Sequence, residues 1–304
     1  MRPATSVEPE GRLLMAIWNL GSINIDMVYS LPHMPQPGET LAATSFDQGL
    51  GGKGANMSVA AARAGAHACH IGAIGPEGKW CVDRLMEYGV DTRHIVQSDT
   101  ATGHAIIAVD PAGENQIILY PGANRGLGAD QIGQALSAAN AGDILLMQNE
   151  TNMQAEAAEM GRKLGLRVAY AAAPFDAAAV QAVLPFVDLL FLNEVEAAQL
   201  QDATGKPPQD LGVDDVIVTL GAEGARHFDG RTGAVSDVAA QKVTAVDTTG
   251  AGDTFTGYVL AALDRGLPMA QAMAQASRAG ALMVTRHGAA DVIPDLKEVQ
   301  DAKF

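Results

Sequence analysis

The sequence predicts an α/β fold: a doubly wound, mostly parallel sheet flanked by helices, with a small β-sheet extension. Three observations lead there. Short, continuous apolar runs such as Leu13–Trp18 and Asp188–Leu192 have the character of strands buried on both faces. These runs alternate with helix-forming segments, the order of a parallel sheet. One pair of β-rich runs, His104–Val109 and Gln116–Tyr120, breaks that order. It flanks Asp110-Pro111-Ala112-Gly113-Glu114-Asn115 and reads as a hairpin standing apart from the main sheet.

Composition narrows the function classes. A chain of 304 residues, 48% hydrophobic, can bury a large core. Aromatics are scarce at 5%, so alanine and glycine must do much of the helix-on-sheet packing. A formal charge of −15 excludes an extended nucleic-acid footprint, which needs basic surface. Two cysteines, Cys69 and Cys81, do not make a disulfide framework, and a reducing, cytoplasmic setting is expected. No apolar run is long enough to span a membrane. Met1–Arg12 mixes Pro, Glu and Ser and is expected to be a disordered tail. One domain is expected over 13–304.

Taken in order, Leu13–Trp18 forms the first strand and leads into Asn19-Leu20-Gly21-Ser22-Ile23-Asn24-Ile25-Asp26. Asn24 and Asp26 alternate with two isoleucines and share one face of an extended segment, where they could bond adjacent hydroxyls or simply face water. Glu39–Phe46 reads as a strand. Gly49-Leu50-Gly51-Gly52-Lys53-Gly54-Ala55-Asn56 precedes a clear helix. Its glycines satisfy G-x-G-x-x-G, but no buried strand leads in and no acid follows at ribose distance; Lys53 precedes Gly54, so it is not a Walker A loop either. What remains is a glycine platform presenting Lys53 and Asn56 at a helix start. Ala68–Ile74 is a buried strand. His67, Cys69 and His70 on it, with no carboxylate nearby, read as core or surface residues and not as metal ligands.

Glu77–Tyr88 reads as a helix. Beyond the hairpin come the helix Asp130–Ala139, the strand Asp143–Met147 ending in Gln148-Asn149-Glu150, the helix Met153–Leu164 and the strand Arg167–Ala171. Asp188–Leu192 ends in Asn193 and Glu196, and Val216–Leu220 ends in Gly221–Gly224. Ligands of such sheets bind at the carboxyl ends of the strands. Asn24, Asp26, Glu150, Asn193, Glu196, Thr219 and Gly221 all fall there.

Thr248-Thr249-Gly250-Ala251-Gly252-Asp253 carries the sharpest chemistry. Val243–Val246 before it reads as a strand, and Tyr258–Leu263 after it as a helix. Small residues at a helix start let a ligand approach the unpaired N–H groups. An acid in the first turn can simply complement the helix dipole. That explains Asp253 but not the Gly-Ala-Gly in front of it, which points to a base held beside an anion nest. Helices from Ala251 to about Arg265 and from about Met269 to Val284 close the chain.

The chain resembles the PfkB carbohydrate kinases, and within them the ribokinase type, from about Leu14 to Pro294. The resemblance rests on Gly21–Asp26, Gly51–Asn56, Gly122-Ala123-Asn124, Leu146-Met147-Gln148, Asn193–Ala197, Thr219-Leu220-Gly221, Asp247–Gly257 and Val284-Thr285-Arg286. It implies a ribokinase-like α/β domain with a β lid drawn from about 23–48 and 94–124. The implied activity is phosphoryl transfer from ATP to the primary hydroxyl of a furanose, D-ribose first. By the same resemblance Asn24, Asp26, Gly52, Lys53, Asn56 and Glu150 hold the sugar, Asp253 takes the hydroxyl proton, and the N–H groups of Gly250, Ala251, Gly252 and Asp253 stabilise the moving phosphoryl group. Asn193 and Glu196 organise Mg²⁺ through water. Thr219, Gly221, Gly224, Gly252 and Ser277 line the nucleotide site. A K⁺ site draws on Asp247, Thr249, Met283, Arg286 and Gly288, and the lid makes a homodimer. Departures at Ala171-Ala172-Ala173-Pro174, in the short Asn193–Thr219 connection and at Val292 leave room for another sugar or a nucleoside, and put K⁺ activation in question. A catalytically silent sugar-binding regulator on the same fold is a third reading; the intact Gly-Ala-Gly-Asp, with Asn193 and Glu196, argues against it.

Overall fold

The computed structural model describes residues 15–304. The tail expected at Met1–Arg12 lies outside the described residues. In chain order the elements are β1 (Ala16–Leu20), β2 (Asn24–Ser30), β3 (Ser45–Gly51), α1 (Lys53–Arg63), β4 (His67–Ile74), α2 (Lys79–Glu87), β5 (Asp91–Gln97), β6 (Gly103–Val109), β7 (Asn115–Tyr120), α3 (Ala129–Leu136), β8 (Ile144–Gln148), α4 (Gln154–Lys163), β9 (Arg167–Ala171), α5 (Ala177–Val183), β10 (Leu189–Asn193), α6 (Glu194–Thr204), β11 (Asp215–Thr219), β12 (Ala225–Asp229), β13 (Val235–Val238), α7 (Ala251–Asp264), α8 (Met269–Met283) and α9 (Leu296–Asp301).

Among the described residues, nine strands form one sheet in the order β13-β12-β11-β10-β9-β8-β1-β4-β5. The ladder is parallel from β5 through β11, and β12 and β13 add an antiparallel edge. Side chains alternate across it as the pleat requires. Ile144 and Leu146 join the core under α1, α7 and α8, whereas Leu145 and Met147 join the core under α3–α6. Each such fully buried side chain contributes about 1.5–3 kcal/mol. The expected doubly wound sheet with helices on both faces is therefore what forms.

The second sheet has the order β3-β2-β6-β7, with β2 parallel to β6 and the outer pairs antiparallel. Residues 94–97 lie outside it, in the edge strand β5 of the large sheet.

Two sequence expectations fail here. Val243–Val246 is not a strand: the N–H groups of Val246 and Asp247 both donate to Val284 O, so the segment is tied to the end of α8 and not to a sheet neighbour. The strand expected at Glu39–Phe46 lies further on, for β3 spans Ser45–Gly51; its first four residues are exposed, so, as expected, no strand buried along its length leads into the Gly51-Gly52-Lys53 turn. β3 is an antiparallel strand of the small sheet, so the turn is not a dinucleotide fingerprint.

Glycines set the separation of the elements that carry the site. A Cβ on Gly257 of α7 would stand 2.5 Å from Ala60 Cβ and 2.7 Å from Met57 O, so α7 lies almost against α1. A Cβ on Gly54 would stand 2.3 Å from Ser22 N, pinning the start of α1 to the loop after β1. These two contacts bring Lys53, Asn56 and Asp253 together.

Candidate active site

The start of α1, the loop after β1 and the end of β8 converge on Glu150. Its Oε2 accepts the Lys53 N–H at 3.0 Å and the Ser22 hydroxyl, and Ser22 Oγ in turn accepts the Gly54 N–H at 3.1 Å. Gly52 caps α1 with φ +95°, a conformation that favours glycine, and a Cβ there would stand 2.9 Å from Asn24 N. Asn24 Oδ1 accepts from Asn124 Nδ2 at 2.8 Å, and Asn124 Oδ1 accepts the Ile23 N–H. Asn24, Asn124, Arg125, Asn149 and Glu150 line a small cavity beside β7. Asp26 sits over Gly51, whose missing side chain makes room for its carboxylate. Burial, aided by the charge of Glu150, pushes the Asp26 carboxyl up to about 7.

Asp253 lies in the first turn of α7, 6% exposed. Its Oδ2 accepts from Asn56 Nδ2 at 2.9 Å, and its Oδ1 stands 3.9 Å from Lys53 Nζ. Asn56 Oδ1 is buried without a hydrogen-bond partner among the described residues. Lys53 is held above its ordinary pKa by Asp253, then by Glu150 and Glu196, against the opposing effect of burial. The helix begins from Gly250 at φ 73°. Ala251 N–H is used internally, to Thr248 O at 3.2 Å. Gly252 and Asp253, within the first turn, have no intrahelical acceptor for theirs.

A cleft of about 390 Å³ opens in front of that turn, lined by Lys53, Asn193, Glu196, Thr248, Gly252 and Asp253, with Ala171–Ala173 along one wall. Asn193 and Glu196 form a reciprocal capping box on α6: Asn193 Oδ1 accepts the Glu196 N–H, and Glu196 Oε2 the Asn193 N–H, both at 2.8 Å. Their i, i+3 spacing is thus first a helix cap, which holds Glu196 at the cleft. Burial raises the Glu196 carboxyl, opposed by the Asn193 hydrogen bond and by Lys53.

The cleft continues into an apolar cavity of about 290 Å³ lined by Gly221, Gly224, Val243, Phe255, Ser277 and Gly280. Thr219, Gly221, Thr248 and Gly252 border both spaces. Ser277 Oγ donates to Ala239 O, and Thr219 Oγ1 to Leu192 O, so these hydroxyls serve the fold as well as the cavity wall. A Cβ on Gly252 would meet nothing within 4 Å. Gly252→Ala is accordingly expected to leave the melting temperature within about 1 °C of wild type, because nothing in the fold is displaced. The added methyl projects into the cleft, so a ligand that approaches the start of α7 there binds about tenfold or more weakly, as steady-state KM values for each substrate would read.

The residues expected around K⁺ form a separate group. Asp247 Oδ1 accepts the Thr249 N–H and Oδ2 the Gly288 N–H. Burial raises its carboxyl, but these two bonds and His287 outweigh that and hold it below its ordinary value. The Arg286 guanidinium turns to Val292 O and Glu298, and Met283 Sδ accepts from Thr254 Oγ1.

Ser22 and Asn124 were not foreseen in site roles; their partners Glu150 and Asn24 are about a hundred residues away, and only tertiary structure joins them. At β4, His70 points inward to Ser58 Oγ and Gly21 O, and burial pushes its imidazole down to about 4. Contrary to the expectation for this strand, a carboxylate does lie near: Asp91 of β5 stands beside His67 and Cys69.

Comparison with known proteins identifies the relatives of the chain. A ribokinase of Haemophilus influenzae is 37% identical over 92% of this chain and 95% of its own. A deoxyribokinase of Salmonella typhi is 30% identical over 94% of this chain and 98% of its own. The structure of Arabidopsis thaliana ribokinase complexed with ribose and ATP superposes with a TM-score of 0.83 at 27% identity, covering 95% of this chain and 98% of that one. The family model of the pfkB family carbohydrate kinases matches residues 17–296, and the chain belongs to that family.

Proposed function

We propose that the protein is an ATP-dependent kinase that phosphorylates the primary hydroxyl of D-ribose to give ribose 5-phosphate. One observation carries this reading: Asp253 stands where the polar cluster of Lys53, Asn56 and Glu150 meets the cleft that leads to the apolar cavity. Similarity to ribokinases, one of them solved with ribose and ATP, supports it.

Asn24, Asp26, Gly52, Lys53, Asn56 and Glu150 hold the sugar. The unpartnered, buried Asn56 Oδ1 suits a sugar hydroxyl donor. The hydroxyl oxygen bonds to the γ-phosphorus, the bridging P–O bond to ADP breaks, and the hydroxyl proton passes to Asp253. N–H groups at the start of α7, from Gly250 to Asp253, meet the charge on the transferring group; of these four, that of Ala251 alone has an internal acceptor. Thr219, Gly221, Gly224 and Ser277 border the nucleotide.

An oxygen-rich cleft carrying the Glu196 carboxylate fits Mg²⁺, which keeps most of its waters; Glu196 and Asn193 would hold it, and it would neutralise phosphate charge. The Asp247 carboxylate beside the Thr249–Gly250 and Arg286–Gly288 turns is an all-oxygen set that fits K⁺, with carbonyls of Thr249, Met283, Arg286 and Gly288 as further donors. Exposed Phe46, Ile106, Ile117, Ile118 and Leu119 on the small sheet support a homodimer through that sheet. Two buried free cysteines fit a cytoplasmic setting.

The test is a coupled ADP-release assay over ribose, 2-deoxyribose, fructose, tagatose and nucleosides. Ribose is expected to give the highest kcat/KM. A preference for 2-deoxyribose, the second reading favoured by the deoxyribokinase relative, would move the assignment to that sugar. No turnover on any of them would favour the silent regulator.

A further inference from the structure

At the amino-terminal start of β4 and β5, away from the cleft, three donor atoms face one another. His67 Nε2 lies 3.6 Å from Cys69 Sγ and 3.6 Å from Asp91 Oδ2, and Cys69 Sγ lies 3.9 Å from Asp91 Oδ2. The geometry has a local cause. His67 and Cys69 are two apart on β4 and share a face, and Asp91 is the register partner of Cys69 on β5. A point equidistant from three atoms so spaced lies roughly 2.1 Å from each, the length of Zn–N and Zn–O bonds and close to that of Zn–S.

We propose that His67, Cys69 and Asp91 form a binding site for a borderline-soft divalent transition metal of the Zn²⁺ or Co²⁺ type, its remaining position taken by water. The chemistry of the set is consistent. Thiolate, imidazole and carboxylate suit such ions and not Mg²⁺ or Ca²⁺. Arg93 grips Asp91, its Nε 3.0 Å from Oδ1 and its Nη2 2.5 Å from Oδ2, and so orients the carboxylate as outer-shell partners of metal ligands do. His67 is exposed and gives the ion a way in. A thiol ligates as the thiolate, so binding displaces the Sγ–H proton to solvent and forms the metal–sulfur bond, one proton released per ion. The affinity rises about tenfold per pH unit while the free thiol is protonated. By joining β4 to the edge strand β5, the ion stabilises the folded state by an amount that grows with the logarithm of its free concentration above Kd.

Cobalt(II) titration of the untagged full-length chain, stripped with chelator, tests this. The expected result is a thiolate-to-cobalt charge-transfer band in the near ultraviolet that saturates at one equivalent and strengthens with pH. Cys69→Ser and His67→Ala should each abolish it, and Cys81→Ser should retain it. The exposed His67 can be truncated without disturbing the core, so the test does not depend on how well Cys69→Ser folds. Absence of the band in the wild type, or its persistence in His67→Ala and Cys69→Ser, would overturn the proposal. The readout is independent of which sugar, if any, the cleft phosphorylates.

Discussion

Asp253→Asn should lower turnover about a thousandfold, within the range for loss of a positioned general base, while sugar affinity stays within about threefold of wild type. The substitution keeps the shape of the side chain, and an amide oxygen can still accept from Asn56 Nδ2, at 2.9 Å in the parent. It cannot take up the hydroxyl proton. It also removes the largest of the charges that raise the pKa of Lys53, leaving Glu150 and Glu196 to oppose the effect of burial. The hydrogen bonds of Glu150 and Asn24 are untouched. A coupled assay gives kcat, and a thermal-shift titration with ribose gives binding. Turnover near wild type would show that Asp253 is not the base. Loss of binding together with turnover would instead make Asp253 chiefly a holder of the sugar.

The parts of the fold that sequence alone makes legible are those with both faces buried. Strands β8, β10 and β11 fall within a residue of their expected limits, because a continuous apolar run has no other use in a chain of this kind. The exposed edges leave no such trace. Ala225–Asp229 is short, half-buried and interrupted by charged residues, and Val235–Val238 is short and mostly exposed, yet they pair as β12 and β13. Val243–Val246 has β-branched residues and still forms no strand, because its N–H partners lie on the end of α8. The site divides in the same way. Lys53, Glu150, Asn193 and Asp253 stand in short motifs at strand ends and helix starts, where local geometry already implies chemistry. Ser22 and Asn124 act by bonding Glu150 and Asn24, and nothing in their own neighbourhoods announces that. The carboxylate that completes the His67–Cys69 cluster arrives from the adjacent strand, so spacing along β4 could not reveal it.

Asp26→Asn is expected to stabilise the free protein while weakening its hold on sugar. Asp26 titrates at about 7 in the fold, against 3.8 for an ordinary aspartate, chiefly because burial disfavours its charge and next because Glu150 is near. The native state therefore binds the proton more tightly than the unfolded chain does. Its stability falls as pH climbs between those two values and is flat above the higher one. Asparagine has no such dependence. The variant's advantage should widen from pH 5 to pH 7 and then stay constant at on the order of 1–2 kcal/mol, discounted for the partial exposure of Asp26, or roughly 2–3 °C in melting temperature. Sugar binding should move the other way. An ionised carboxylate accepts from hydroxyls in charge-assisted bonds that an amide cannot match, so the affinity for ribose should drop about tenfold to a hundredfold at pH 8. For the same reason the wild-type KM for ribose should fall as pH rises through 7, and the variant's should not. Thermal melts and ribose titrations of both proteins at pH 5, 7 and 8 separate the possibilities. Equal melting temperatures across that range would mean that Asp26 ionises normally. Unchanged ribose affinity would remove it from the site. If both effects appear, the acid above Gly51 costs the empty fold stability above pH 5 and recovers it only when sugar hydroxyls are bound.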